Sequence, residues 1–238
     1  MSRNIALVGV GYWGKNLARV FHQLGVLKTI CDLDLAILEQ KRKEYPELEV
    51  TADFFHVLLD KEINGVVIAA PAAAHYTLAK QALLAQKDVF VEKPLALRMK
   101  EGEELVVLAR QNERILMVGH LLLYHPAIVM LKEIVRKGEL GDIRYVWSNR
   151  LNFGKLRREE NVFWSFAPHD ISVILDMFGL PKRVLAIGRA YVHKSVADIT
   201  LSAFEYENGK SAHIFVSWLN PFKEQKLAIT GSEKMAVF

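Results

Sequence analysis

The sequence predicts an α/β fold: a doubly wound parallel sheet in the N-terminal half, followed by an α+β domain with an open, mostly antiparallel sheet. Three observations carry this reading. Apolar runs alternate with helical patterns through the first 119 residues, as βαβ units require. The run Gly65-Val66-Val67-Ile68-Ala69-Ala70 carries no polar side chain, as expected of a central parallel strand covered on both faces. After Gly119 the alternation gives way to segments rich in β-branched and aromatic residues. The expected division is therefore 1–119 and 120–238.

In the first half, strands are expected at 5–10, 27–31, 49–51, 65–70, 89–92 and 116–119. Helices are expected at 13–24, 35–45, 54–59, 75–85 and 100–111, with Pro46 ending the second of these. The second half opens on an amphipathic helix that places Ala127, Leu131, Ile134 and Val135 on one face. Gly138 and Gly141 close it. Strands are expected at 143–151, 184–192, 199–205, 211–218 and 226–229. A helix at 169–178 is closed by Gly179 and Pro181. Asn208-Gly209 reads as a type I′ hairpin turn.

Composition narrows the class. The 238 residues are 51% hydrophobic and 24% charged, which describes a globular chain with a full core. No apolar run approaches the roughly eighteen residues of a membrane helix. Met1-Ser2-Arg3-Asn4 leads directly into a strand pattern, leaving no room for a signal peptide. The single cysteine, Cys31, excludes an internal disulfide and fits a reducing cytoplasm. It is expected to be a small hydrophobe, not a nucleophile. The net charge of +4 concentrates at Lys132, Arg136, Lys137, Arg144, Arg150, Lys155, Arg157 and Arg158, against Glu133, Glu139 and Asp142. Either this is a solvated face, or it meets an anionic substrate such as a nucleotide-linked sugar. It lies on no single helix face and carries no nucleic-acid-binding motif.

The segment Gly9-Val10-Gly11-Tyr12-Trp13-Gly14 follows one apolar strand pattern and opens a helical one, the context in which GxGxxG marks a dinucleotide site. Gly9 permits the tight turn, Gly11 lets backbone approach a pyrophosphate, and Gly14 lets the helix pack close. The helix N-terminus then faces the phosphates. Asp32 ends the second strand, eighteen positions after Gly14. A carboxylate there accepts from ribose hydroxyls and repels a 2′-phosphate, which favours NAD over NADP. The alternative is that Asp32 caps the next helix, although Asp34 is better placed to do so.

Val89-Phe90-Val91-Glu92-Lys93-Pro94 is a strand that ends on a charged pair and a proline. A lysine at the carboxyl end of a parallel strand reaches the crevice where ligands bind, where its ammonium can hold a substrate hydroxyl and help move a proton. Spacing alone leaves an ordinary Glu–Lys loop equally open.

The glycine loop, Ala69-Ala70-Pro71 with His75, Glu92-Lys93-Pro94, and Pro168-His169-Asp170-Ile171-Ser172 together resemble the glucose–fructose oxidoreductase/inositol dehydrogenase/MocA family, from Ile5 to near the end of the chain. The resemblance implies a Rossmann domain, then an α/β domain whose open sheet mediates a dimer or tetramer. It implies oxidation or reduction of a sugar or polyol carbon by a nicotinamide cofactor. It implies a catalytic role for Lys93 and His169. Cofactor contacts are expected from Gly9, Gly11, Tyr12, Trp13, Gly14, Asp32, Ala70, Pro71, His75, Glu92 and Lys93.

The family's second catalytic pattern is Asp-x-x-x-His. Aligning on His169 puts Ser165 at the aspartate position, which leaves acid/base work to His169 and Lys93. Leu123 stands where many members carry arginine. His120 and His125 are not at a helical ligand spacing, which argues against metal. Family members continue beyond a point like 226–238, so this chain reads either as naturally short or as truncated. The stretch from Ser148 to Lys155 resembles members acting on UDP-linked N-acetylated hexoses, which implies oxidation at C3. Substrate contacts are then expected from Lys93, Arg150, Asn152, Lys155, Ser165, His169 and Asp170, with Arg157 and Arg158 nearby. Alternative readings are a free polyol or sugar dehydrogenase, an NAD-dependent glycoside hydrolase, and a non-catalytic NAD(H)-binding protein.

Overall fold

The structure, a computed structural model, describes residues 4–154, 156–158 and 160–238. Met1-Ser2-Arg3 and Lys155 therefore lie outside the described residues. The chain forms two compact units, Met1–Gly119 and His120–Phe238. No helix among the described residues is long and apolar enough to cross a membrane.

The first unit runs β1 (Asn4–Val8), α1 (Gly14–Gln23), β2 (Leu27–Cys31), α2 (Leu35–Glu44), β3 (Glu49–Thr51), α3 (Phe54–Leu59), β4 (Ile63–Ile68), α4 (Ala72–Leu84), β5 (Asp88–Val91), α5 (Met99–Gln111) and β6 (Leu116–Val118). The sheet order is β3-β2-β1-β4-β5-β6 and its pairings are parallel. Strand order reverses between β1 and β4, which makes the carboxyl ends of those strands the place for a ligand. Alternate residues of β1 bury on opposite faces. Ala6 and Val8 pack with Leu83 and Leu105, while Leu7 packs with Ala18, Ile30 and Leu38. That two-sided burial is why the strand sequences are apolar without alternation.

Two elements in this unit, β4 and α4, depart from the expected spans. β4 begins and ends two residues before the expected span, and Ala69-Ala70 form the loop beyond it. α4 starts at Ala72, directly after Pro71, which sits at the N-cap with φ −56° and an extended ψ of 144°.

The second unit opens with a short 3-10 turn (Leu121–Tyr124) and α6 (Pro126–Arg136). It continues with β7 (Ile143–Phe153), α7 (Val162–Phe178), β8 (Arg183–Arg189), β9 (Ile199–Glu205), β10 (Ser211–Ser217), β11 (Leu219–Gly231) and β12 (Met235–Val237). Its sheet order is β12-β11-β7-β10-β9-β8. The β7–β10 pair is parallel and the other pairs are antiparallel, so the sheet is mixed and mostly antiparallel. Val146, Ile214 and Ile229 on one face pack with Ile128, Leu131, Val173 and Ile174 of α6 and α7. On the other face Leu185, Ile187 and Leu201 stay about half exposed, and Ile187 pairs in register with Leu201.

Three expectations need correction here. α7 begins at Val162, seven residues before the expected start: the Asn161 side chain accepts from the Trp164 N–H and caps it, and Pro168 lies inside the helix. β11 spans thirteen residues, because a register shift between Leu219 and Glu224 lets it continue past an irregular stretch. The β9–β10 turn is not type I′: Gly209 alone adopts positive φ there (+77°), and the Tyr206 N–H bonds the Lys210 carbonyl at 3.1 Å. That is the pattern of a three-residue loop closing on a left-handed glycine, in place of the two positive-φ residues of type I′.

Candidate active site

The glycine loop is built by three different constraints. Gly9 has φ +86°, and a Cβ on it would lie 2.7 Å from the Ala70 nitrogen at the end of the neighbouring strand. A Cβ on Gly14 would lie 2.0 Å from the Gly9 carbonyl oxygen, so only glycine lets α1 start against the loop. A Cβ on Gly11 would meet nothing within 4 Å. Nothing in the fold requires glycine at that position; the space a Cβ would fill is open. It adjoins the N-terminus of α1, where the N-cap residue Trp13 makes no side-chain capping bond and the first turn has no acidic residue. These residues fit a dinucleotide: an anion there meets the positive end of the helix dipole, with no side-chain cap and no repelling carboxylate in that turn. Tyr12 is exposed.

Asp32 closes the adjacent edge. Its Oδ2 accepts from the Val10 N–H at 2.7 Å and its Oδ1 from the Asp34 N–H at 3.0 Å, which ties the glycine loop to the end of β2. Asp34 is the residue that caps α2, accepting from Ala36 and Ile37. Cys31 is buried. Burial, with the nearby charges of Asp32 and Asp53, pushes its thiol up to about 11, so it remains a thiol and not a nucleophilic thiolate.

The Glu92-Lys93-Pro94 loop follows β5, next to β4 in the sheet. The Lys93–Pro94 peptide is cis, and Lys93 is half-buried. The Trp13 indole N–H donates to Glu92 at 2.9 Å, so this loop is bonded directly to the glycine loop. Burial pushes the Glu92 carboxyl above the usual carboxylate range, opposed by the Trp13 and Lys93 N–H groups and by the charges of Lys93 and His75. Gly119 lies close by: a Cβ on it would come within 2.9 Å of Glu92 Oε1.

His75, expected among the cofactor contacts, is enclosed. It is 1% exposed, and its two ring nitrogens lie 2.7 Å from the Pro94 carbonyl and 2.8 Å from the Ala70 carbonyl. The ring joins the two loops that border the crevice.

In the second unit, Ser165 and His169 are one helical turn apart on α7, the i, i+4 relation that puts them on one face. Ser165 is buried and His169 half-buried. Arg150 and Asp170, expected as substrate contacts, bond each other: Nε and Nη2 donate to the two carboxylate oxygens at 2.7 and 3.0 Å. Their side chains are 11% and 4% exposed, so the pair joins β7 to α7 inside the unit. Asn152 lies against the backbone of Gly154, where a Cβ would meet its Oδ1 at 2.6 Å. Arg157 pairs with the buried Glu160, and Arg158 is exposed. Leu123 packs on the apolar core, and the His125 ring accepts from the Ala127 N–H to cap α6.

The geometry agrees with comparison to known proteins. The family described as "Oxidoreductase family, NAD-binding Rossmann fold" matches residues 3–120, and the "GFO/IDH/MocA C-terminal domain" matches residues 128–237. The oxidoreductase YdgJ of Escherichia coli is 29% identical over 197 residues, which is 76% of this chain and 56% of that protein. The UDP-N-acetylglucosamine 3-dehydrogenase of Acidithiobacillus ferrooxidans is 28% identical over 213 residues, 89% of this chain and 66% of that one. In fold, the chain matches GenD2 from gentamicin A biosynthesis, solved in complex with NAD, with a TM-score of 0.92 at 24% identity, over 100% of this chain and 72% of that chain. The chain thus spans between 56% and 66% of the length of these two curated relatives.

Proposed function

Because the chain belongs to the Gfo/Idh/MocA family of oxidoreductases, we propose that it is an NAD-dependent dehydrogenase acting on a CH–OH carbon of a sugar or polyol. The observation that carries this reading is the 2.9 Å bond from Trp13 to Glu92, which joins the open glycine loop to the loop bearing Lys93. NAD, when bound, takes up or returns the hydride. The chain's own residues do the rest. Gly11 and the start of α1 receive the pyrophosphate, and Asp32 accepts from ribose hydroxyls while disfavouring a 2′-phosphate. The Lys93 ammonium holds the substrate hydroxyl, helps move its proton and stabilises a developing alkoxide. His169 is the second unit's acid/base group. Ser165 serves as a hydrogen-bonding neighbour, since a hydroxyl is no base at neutral pH.

For the substrate we infer C3 of a UDP-linked N-acetylated hexose. The likeness to the UDP-N-acetylglucosamine 3-dehydrogenase and the basic segment ending in Arg157 and Arg158 support this. With Arg150 held by Asp170, Arg157 and Arg158 are both exposed in that segment, and Arg157 also pairs with Glu160. The half-exposed face of β8 and β9 is proposed to pair with a second copy of the chain. The test of substrate class is NADH formation at 340 nm with NAD and a panel of UDP-N-acetylhexosamines, their uronates and free polyols. Turnover of a UDP-sugar in preference to polyols is the expected result. Turnover of polyols alone would overturn the nucleotide-sugar assignment.

A further inference from the structure

His75 sits in the first turn and a half of α4, enclosed at 1% exposure, with Nδ1 2.7 Å from the Pro94 carbonyl and Nε2 2.8 Å from the Ala70 carbonyl. Both neighbours are main-chain oxygens, which accept hydrogen bonds and have no proton to give. A neutral imidazole has one N–H and one bare nitrogen. Either neutral tautomer would therefore press a lone pair against a carbonyl lone pair at hydrogen-bond distance, in a site closed to water. A ring with a proton on each nitrogen satisfies both carbonyls, and its bonds are charge-assisted.

The two acceptors matter because of where they lie. Ala70 is in the loop that follows β4, and Pro94 directly follows Lys93 in the loop after β5. The strands beneath them pair in register, Ile68 with Val91. The ring therefore spans the two loops at their closest strands. Charged neighbours are on hand: the buried Glu92 carboxylate, which is sensitive to the charges of Lys93 and His75, and Lys93 itself. Further along α4, Tyr76 and Lys80 are engaged with Glu104. Glu92 is thus the anion that balances positive charge in this loop pair.

We propose that His75 is an imidazolium clamp, protonated on both ring nitrogens, that ties Ala70 to Pro94 and so positions Lys93. The positioning role rests on the reading of Lys93 as the proton-handling group; the state of the ring does not.

The test is nuclear magnetic resonance on the full chain labelled with ¹⁵N-histidine at pH 7.5, with His75→Gln used to assign the signals. Two protonated nitrogens on His75 are expected, and a bare ring nitrogen would overturn the clamp. The second measurement is kinetic. His75→Gln keeps a single amide group in place of two opposed donors, and displacement of the Lys93 loop should lower kcat roughly 10- to 100-fold. NADH affinity, read by fluorescence, should fall by a much smaller factor than kcat, because the ring bonds the Ala70 and Pro94 carbonyls and not the glycine loop itself. Two protonated nitrogens together with undiminished kcat in His75→Gln would overturn the positioning role. If the wild-type chain turns over no substrate in the panel, the dehydrogenase reading fails, while the nitrogen signals still decide the clamp.

Discussion

Gly11 and Gly14 differ in what surrounds them, and that difference predicts opposite consequences for the same substitution. At Gly11 a Cβ meets nothing within 4 Å and the backbone is not left-handed. Gly11→Ala should therefore leave the fold intact, or stabilise it by about 0.4–1 kcal/mol through the unfolded chain. The methyl group enters the space assigned to the pyrophosphate, so NADH binding should weaken by at least about tenfold, or ~1.4 kcal/mol. At Gly14 a Cβ would lie 2.0 Å from the Gly9 carbonyl oxygen, more than an ångström inside ordinary contact, and the obstacle is backbone. Gly14→Ala should cost about 1–3 kcal/mol as the helix is pushed off the loop. Thermal melts and NADH fluorescence titrations on both variants separate the two effects. Wild-type NADH affinity in Gly11→Ala would refute the assignment of the loop, and wild-type stability in Gly14→Ala would refute the packing argument.

Removing one partner of the buried Arg150–Asp170 pair leaves an uncompensated charge, so Arg150→Met or Asp170→Asn should each cost about 3–5 kcal/mol. The double variant should cost less than the sum; urea unfolding read by tryptophan fluorescence reports it, since Trp147, Trp164 and Trp218 all lie in the second unit, and strict additivity would reject the pairing. Glu92 has its carboxyl raised by burial, so ionising it costs folded-state stability as pH rises from the ordinary carboxylate value through the folded one, and no such cost exists at lower pH. Glu92→Gln keeps the acceptor for Trp13 and should gain stability relative to wild type as pH rises from 4 to 7, whereas a pH-independent difference in Tm would show that burial does not govern this carboxyl. Leu185→Glu with Ile187→Glu should shift the mass measured by light scattering to that of a monomer, and an unchanged mass would reject the β8–β9 face as the contact.

The part of the fold most legible in sequence is the part where local chemistry decides the backbone. α3 and β9 fall where expected, because Asp53 caps the one and β-branched and aromatic residues mark the other. Asp34 caps α2 as its position suggested. The start of α7 was hidden by Pro168: a proline usually opens a helix, and here the helix passes through it after a cap at Asn161. β11 was underestimated because an irregular register separates its two ends. In the candidate site, the glycine loop could be read from spacing because it occupies one strand end, whereas the Lys93 loop stood out only through the family resemblance. The Arg150–Asp170 pair and the two carbonyls around His75 could not, since the partners sit on different elements and nothing in the local sequence links them. A basic residue in a segment looks alike whether it faces a phosphate or a buried carboxylate.

The most direct test of the central claim is the turnover and NADH affinity of Lys93→Met side by side. The account predicts NADH binding within about threefold of wild type and a loss of kcat of at least about a hundredfold, the range of a general acid–base group. Turnover at the wild-type rate in Lys93→Met would contradict it.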